Sequence, residues 1–406
     1  MDTAWIAAAR RTAFTRAGKG AFAATRPDEL LAMVFRGLLA GLPPGAQERI
    51  DEVIVGCAYP EAEQGRNSAR VVALRAGLPD RVPAMTLTRM CASSLEATAV
   101  ACDRVRLGEA RMVLVGGMES MSMIPMGGVK PAPNTSLQSE RPDAYLSMGE
   151  TAEEVATACQ VPRADQDAWA LRSHQRVAAA RERGVFAEEI VPLPPAGQGG
   201  AAVAADDALR PDTTLARLAA LPPIFRERGS VTAGNACPTN DGAAALIVAS
   251  EPTVKALGLA PLGRFVSYAV AGVSPRLMGI GPVEAVPIAL ERARLEIEDL
   301  GAIELNEAFA SQVLAVMRAL KLPEERTNVN GGAIAIGHPL GATGARLVGT
   351  LLHQLRRSRQ RYGLATLCVG GGMGAAGIFE NLGVPLTQVP QGIVWRLSGR
   401  LPTGPD

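Results

Sequence analysis

Asp51-Glu52-Val53-Ile54-Val55-Gly56 passes through a Gln/Asn/Ser turn into a helix ending Leu74-Arg75-Ala76-Gly77-Leu78-Pro79, and this plan occurs twice. The second copy runs from Asp299 to Pro323: Ile303-Glu304-Leu305, the turn Asn306-Glu307-Ala308-Phe309-Ala310, then a helix ending Leu320-Lys321-Leu322-Pro323. A short apolar run followed by a helical stretch is the unit of an α/β protein. Beyond each proline the copies stay in step. After Pro79 come a short strand, a turn at Cys91, a helix and the strand Met112-Val113-Leu114-Val115-Gly116-Gly117. After Pro323 come Thr327-Asn328-Val329-Asn330, a turn at His338, a helix near 342–357, and a strand from Leu364 to Val369. Two similar halves, fused and facing each other, bring corresponding turns together. The Cys91 turn of one half is expected to meet the His338 turn of the other.

The duplication sets the organisation. The first half takes 1–120 plus 240–261 and the second 262–383. Residues 121–239 interrupt the first half with Pro/Gly-rich stretches (Pro125 to Pro133, Pro192 to Gly200) and an amphipathic helix from about Asp165 to Gly184. An insertion of that kind is expected to cover the mouth of a site. Residues 384–406 have no counterpart in the first half and read as a tail.

Bulk composition excludes several function classes. Nothing in a net charge of +1 over 406 residues suggests nucleic acid or a membrane surface as a partner. No run of about 18 apolar residues suggests a membrane span. Trp5-Ile6-Ala7-Ala8-Ala9 reads as a first strand rather than a signal sequence, so a cytoplasmic protein is expected. The cysteines (57, 91, 102, 159, 237, 368) show no C-x-x-C spacing and no clustering with histidine. Neither a zinc site nor a disulfide framework is expected, and reduced thiols remain.

Two of those thiols sit in unusual turns. Cys91 opens Cys91-Ala92-Ser93-Ser94-Leu95-Glu96-Ala97, and from Leu95 to Cys102 the helix is apolar or small except at Glu96. Such a helix is expected between layers, with Cys91 in its positive end field, which favours thiolate. Cys57, Cys102 and Cys159 read as inert buried thiols. Cys368 ends an apolar strand and enters Gly370, Gly371, Gly372 and Gly374, whose N–H groups can form an oxyanion hole. Gly372-Met373-Gly374-Ala375-Ala376-Gly377 matches a dinucleotide fingerprint, but a strand follows where that motif needs a helix. Between the thiols lies Gly337-His338-Pro339-Leu340-Gly341-Ala342-Thr343-Gly344. A histidine on rigid backbone can take a thiol proton. His174 and His353, on Arg-rich helices, read as structural or solvated. Asn306 either caps a helix or orients a water or a substrate carbonyl.

These motifs together resemble the thiolase family over nearly the whole chain, from Trp5 to Glu380. Besides the turns already quoted, the resemblance rests on Gly116-Gly117-Met118-Glu119-Ser120-Met121-Ser122, Ser147-Met148-Gly149 and Thr232-Ala233-Gly234-Asn235, all in family order. It implies an α/β thiolase-like fold: two βαβαβαββ halves layered α-β-α-β-α, with an inserted loop domain. It implies that Cys91 attacks the acyl carbonyl, that His338 activates it, and that Cys368 moves the proton at the substrate α-carbon. Asn306 would hold a water that, with His338, stabilises the enolate oxygen. Backbone N–H groups of Cys91 and Gly370 would form the oxyanion hole. Ser147, Met148, Ala233, Cys237, Arg217, Arg226 and Phe309 would contact substrate or CoA.

The reaction so implied is reversible thiolytic cleavage of 3-ketoacyl-CoA by CoA, giving acetyl-CoA and a shortened acyl-CoA. CoA is the substrate thiol, so no cofactor and no metal is expected, and the family resemblance implies a homodimer or homotetramer. The chain departs from the commonest pattern at Ser94 (often Gly), at Ser147 (His in short-chain biosynthetic members) and at Cys237 (often Ser). Leu221-Pro222-Pro223 also lacks a basic residue, for which Arg217, Arg226 and Arg228 are the nearby substitutes. Alternatives are an acetoacetyl-CoA-specific acetyltransferase and a non-catalytic acyl-CoA-binding protein. A β-ketoacyl synthase would need a second histidine in a suitable turn.

Overall fold

The computed structural model describes residues 2–195 and 201–383. The tail at 384–406 and part of the Pro192 to Gly200 stretch lie outside the described residues. The first half contributes β1 (Ala4–Arg11), β2 (Thr15–Arg16), β3 (Glu52–Gly56), β4 (Ala84–Leu87), β5 (Met112–Ser120) and β6 (Asn240–Ser250). Helices α1 (Pro27–Ala40), α2 (Ser68–Arg75) and α3 (Ser93–Arg106) connect them. The insertion carries α4 (Thr135–Glu140), α5 (Met148–Ala158), α6 (Arg163–Glu182) and α7 (Leu215–Ala219). After α8 (Glu251–Ala256), the second half repeats the plan. Its strands are β7 (Gly263–Gly272), β8 (Leu300–Leu305), β9 (Tyr362–Val369) and β10 (Met373–Glu380). Its helices are α9 (Gly281–Ala293), α10 (Ala310–Leu320), α11 (Ala333–Ile336) and α12 (Leu340–Ser358).

Strand order makes the duplication explicit. The order β4-β3-β5-β6-β1 in one half corresponds to β8-β9-β10-β7 in the other, and the two are joined only where Trp5 and Ile6 of β1 pair with Arg264 and Gly263. In each half the inner pairs run parallel (β3 with β5, β8 with β9) and the next pair antiparallel. The counterpart of β4 shrinks in the second half to a parallel bridge between Ile303 and Thr327. Central strands such as Ala243-Ala244-Ala245-Leu246-Ile247-Val248-Ala249 are apolar on both faces because helices cover both.

Layering follows from which helices can lose all contact with water. Helices α1 and α2 pack outside the first sheet, and α9 outside the second. Between the sheets lie α3 and α12, whose small residues let two backbones touch: a Cβ on Gly344 would stand 2.3 Å from the Leu95 nitrogen. Ser94 Oγ accepts the Ala345 N–H at 2.8 Å across this contact, so the serine in place of glycine makes a tie between halves. Because α3 and α12 each begin just after a chemical turn, their pairing brings both turns to one end of the central layer.

Candidate active site

Cys91 precedes the first turn of α3. Met90 before it adopts φ +44, a left-handed conformation that a side chain occupies at an energetic cost. Ser93 holds the turn there: its Oγ accepts the Arg89 N–H at 2.9 Å and donates to Met90 O at 2.6 Å. The backbone N–H groups of Gly370 and Cys91 favour the charged form of the Cys91 sulfur. They do not outweigh burial, which pushes this thiol up to about 11. The helix end field favours thiolate at Cys91, as expected, but desolvation of a sulfur anion opposes it, and the balance leaves the thiol above its ordinary range.

His338 is 4% exposed, and its backbone N–H donates to Asn240 Oδ1 at 2.8 Å. Gly337 makes that approach possible: at φ +117 it carries no Cβ, which would collide with the Asn240 amide. The His338 Nδ1 lies 2.6 Å from Thr343 Oγ1, which itself donates to Pro339 O at 2.9 Å. With its one hydroxyl proton so used, Thr343 accepts from Nδ1–H and leaves Nε2 as the bare nitrogen. Burial, and secondarily Arg346, hold the imidazole down at about 3, so it is neutral.

Asn306 Nδ2 stands 3.3 Å from that bare His338 Nε2. The helix-capping alternative for Asn306 falls away, since α10 begins at Ala310 with Phe309 at its cap position. Asn306 Oδ1 is buried with no hydrogen-bond partner among the described residues. Its neighbour Glu307 accepts from Trp169 Nε1 at 3.1 Å, Ser173 Oγ at 2.6 Å and Asn328 Nδ2 at 2.9 Å, which ties the insertion to this turn.

Cys368 is the penultimate residue of β9 and is 1% exposed. Burial drives its thiol well above the usual range, and the neighbouring thiols of Cys91 and Cys237 add to the shift. Cys368 packs in one apolar cluster with Ala152, Ala236, Met278, Phe309 and Met148. A Cβ on Gly370 would meet Met148 Sδ at 3.6 Å and Met90 Cγ at 3.8 Å. So Cys91, Cys237, Cys368, Gly370, Met148 and Phe309 are one neighbourhood. The His338–Asn306 pair joins it through the turn Asn306-Glu307-Ala308-Phe309, because the Asn306 N–H bonds Thr366 O two residues before Cys368.

The remaining predicted contacts divide. Ser147 is exposed and caps α5, its Oγ donating to Glu150 Oε2 at 2.8 Å. Arg226 is held by Glu154, which also binds Arg276. Arg217, paired with Asp212, and Ala233 both line a cavity of about 290 Å³. Arg16, Arg210 and Ala236 line it too. Arg16 and Arg210 come from chain segments that no motif marked, and the same holds for Asn240. Met278 also lies outside the quoted motifs. Thr343 was inside the histidine motif, where its spacing from His338 is the signal that could have found it. His174 and His353 are both buried, so the solvated reading is dropped. Among the described residues no group of three or more His, Cys, Asp or Glu side chains could hold a metal ion. No helix of the described residues is long and apolar enough to cross a membrane.

With this geometry in place, comparison with known proteins is decisive. The family model for the thiolase N-terminal domain matches residues 4–252 and that for the thiolase C-terminal domain residues 259–381. The chain belongs to the thiolase family. It is 48% identical to a 3-ketoacyl-CoA thiolase of Bacillus subtilis (strain 168), over 94% of this chain and 100% of that one. It is 46% identical to the 3-oxoadipyl-CoA/3-oxo-5,6-dehydrosuberyl-CoA thiolase of Escherichia coli (strain K12), with the same coverage. The solved human mitochondrial 3-ketoacyl-CoA thiolase in complex with CoA superimposes with a TM-score of 0.85 at 38% identity, covering 94% of this chain and 98% of that one. This thiolase is therefore an acyltransferase of the thiolase fold, and its reaction is thiolytic cleavage by CoA.

Proposed function

We propose that this thiolase cleaves 3-ketoacyl-CoA through an acyl thioester on Cys91. The observation that supports the reading is that the backbone N–H groups of Cys91 and Gly370 both favour negative charge at the Cys91 sulfur, with Cys368 beside it. An acyl group bonded to that sulfur puts its carbonyl oxygen within reach of both donors. As Cys91 attacks the 3-keto carbon, its proton passes to His338 Nε2. The C2–C3 bond then breaks, the released enolate takes a proton from Cys368, and acetyl-CoA leaves. Free CoA then attacks the thioester while its thiol proton passes to the Cys368 thiolate. Cys91 leaves with the proton returned by His338, so the shortened acyl group departs on CoA and both cysteines are restored as thiols. Burial lifts the Cys91 thiol to about 11 and holds the His338 imidazole at about 3, so both groups are neutral before substrate arrives. Proton transfer therefore accompanies attack. Asn306 holds the water that faces the enolate oxygen, and no cofactor beyond substrate CoA takes part.

Met148 and Met278 flank Cys368 with adaptable apolar surface, which favours broad 3-ketoacyl chains over acetoacetyl-CoA alone. The Arg16, Arg210 and Arg217 guanidiniums suit the phosphates of CoA, and Arg210→Ala is expected to raise KM for CoA with little change in kcat. The working assembly is a cytoplasmic homodimer or homotetramer. Incubation with acetyl-CoA, digestion and mass spectrometry test the central claim: the acetyl group is expected on Cys91 and absent from Cys91→Ala. A label that stays in Cys91→Ala removes the proposal. Cleavage rates on acetoacetyl-CoA, longer 3-ketoacyl-CoAs and 3-oxoadipyl-CoA then rank the substrates.

A further inference from the structure

Glu119, near the end of β5, is 1% exposed and has no part in the chemistry above. A carboxylate shut away from water is tolerated only when donors meet its oxygens. Its Oε2 accepts the Ala58 and Gly341 N–H groups, both at 2.8 Å. Its Oε1 accepts Gln64 Nε2 at 2.6 Å and the Tyr59 N–H at 3.3 Å. The Cys57 thiol adds a weak contact at 3.9 Å. Burial raises this carboxyl above the usual range, but every partner donates and none accepts, and that donor set holds it as a carboxylate.

These donors come from both halves. Ala58, Tyr59 and Gln64 belong to the first half. Gly341 is the second residue of α12, three beyond His338, where a helix has open N–H groups and a positive end. The approach is as close as backbone allows: a Cβ on Gly341 would come within 2.8 Å of Glu119 Oε2, Cys57 Cα and Met118 O. Two further ties from the first half reach this segment, Asn240 to the His338 N–H and Ser94 to the Ala345 N–H one turn into α12.

The geometry points to Glu119 as a positioning residue of the thiolase reaction, one that fixes the His338 turn against the half that carries Cys91. It acts through Gly341 and touches no substrate, and the inference rests on His338 being the base proposed above. It does not act by making a thiolate, since a negative charge here opposes ionisation of Cys91, Cys57 and Tyr59. Chemistry that depends on placing a base to within an ångström loses about 100-fold when that placement slips.

Glu119→Gln sets an amide NH₂ among four donors. Its kcat is expected to fall about 30- to 100-fold with KM within about twofold. The pH midpoint of Cys91 alkylation by iodoacetamide is expected to move down, because a nearby negative charge is gone. Glu119→Asp keeps the charge but is too short to hold Ala58 and Gly341 together. It is expected to lose kcat similarly while leaving the alkylation midpoint in place. Folded Glu119→Gln with wild-type kcat, or with KM alone raised, overturns the inference. Should neither variant fold, Gln64→Leu removes the side-chain donor that orients the carboxylate, together with the acceptor of the Ser120 N–H and the bond to Tyr59 O. There a kcat lowered about fivefold at unchanged KM supports the role, and wild-type kcat overturns it. His338→Ala separates the two claims. If it stays active, the base assignment itself fails; if it is dead while Glu119→Gln is active, only the positioning role fails.

Discussion

Cys91 and His338 are each held in the neutral form by the same cause, removal from water, and this sets how the site responds to pH. Neither group titrates between pH 6 and 8, since burial lifts the thiol to about 11 and lowers the imidazole to about 3. Alkylation of Cys91 by iodoacetamide is therefore expected to rise about tenfold per pH unit from 7 to 9 without a plateau. A flat rate over that range would show a resting thiolate and sink the concerted proton transfer. The histidines also link stability to acid. His338, and His174 lowered to about 4, bind protons more readily unfolded, so their contribution is full above pH 6.5 and is lost as pH falls from there. Glu304, raised to about 7, runs the other way between 4.5 and 7. Sequence pointed to these side chains because Cys91 opens a turn of small residues, Ala92-Ser93-Ser94, and His338 sits in a glycine-rich one. It did not show their charge state, since helix ends are legible in a sequence and the depth of burial is not.

At the scale of elements, the pairing of α3 with α12 does most to assemble the site, and it depends on missing side chains. Gly344→Ala replaces glycine by the best helix former, a gain of about 1 kcal/mol in an open helix. Here the added Cβ meets the Leu95 backbone nitrogen at 2.3 Å, and backbone on both sides leaves it nowhere to go. Net destabilisation of about 1–3 kcal/mol is expected, read as a lower urea midpoint at unchanged slope. An unchanged or raised midpoint would mean that the helices separate freely. Both helices were visible in the sequence, α12 as a stretch near 342–357 and α3 as the apolar run after Cys91. Their contact was not, because close approach is a relation between Gly344 and Leu95, far apart in the chain. The second-half counterpart of β4 was read as Thr327-Asn328-Val329-Asn330 and survives only as one bridge, since Asn328 spends its side chain on Leu305 and Glu307.

Over the whole molecule, the insertion is clamped to the duplicated core by buried charge. Arg11 of β1, 2% exposed, binds Asp206 through both terminal nitrogens at 2.7 and 3.0 Å and Glu189 through Nε at 3.1 Å. Breaking one arm of such a cluster strands charge away from water. Asp206→Ala is expected to cost about 3–5 kcal/mol in urea unfolding, and a loss below about 1 kcal/mol would show that water reaches the cluster. Composition and motif order alone carried the α/β duplication and the thiolase resemblance, and that resemblance implied roles for Cys91, Asn306, His338, Cys368 and Gly370. The duplication follows from local rules: strand and helix patterns, and glycines where backbone must turn tightly. Only the tertiary structure decided the protonation of Cys91, the tautomer of His338, the tie from Glu119 to Gly341 and the arginines around the cavity. Each of these is fixed by groups distant in sequence that share one dry interior, where desolvation and hydrogen-bond partners outweigh any preference written in the local chain.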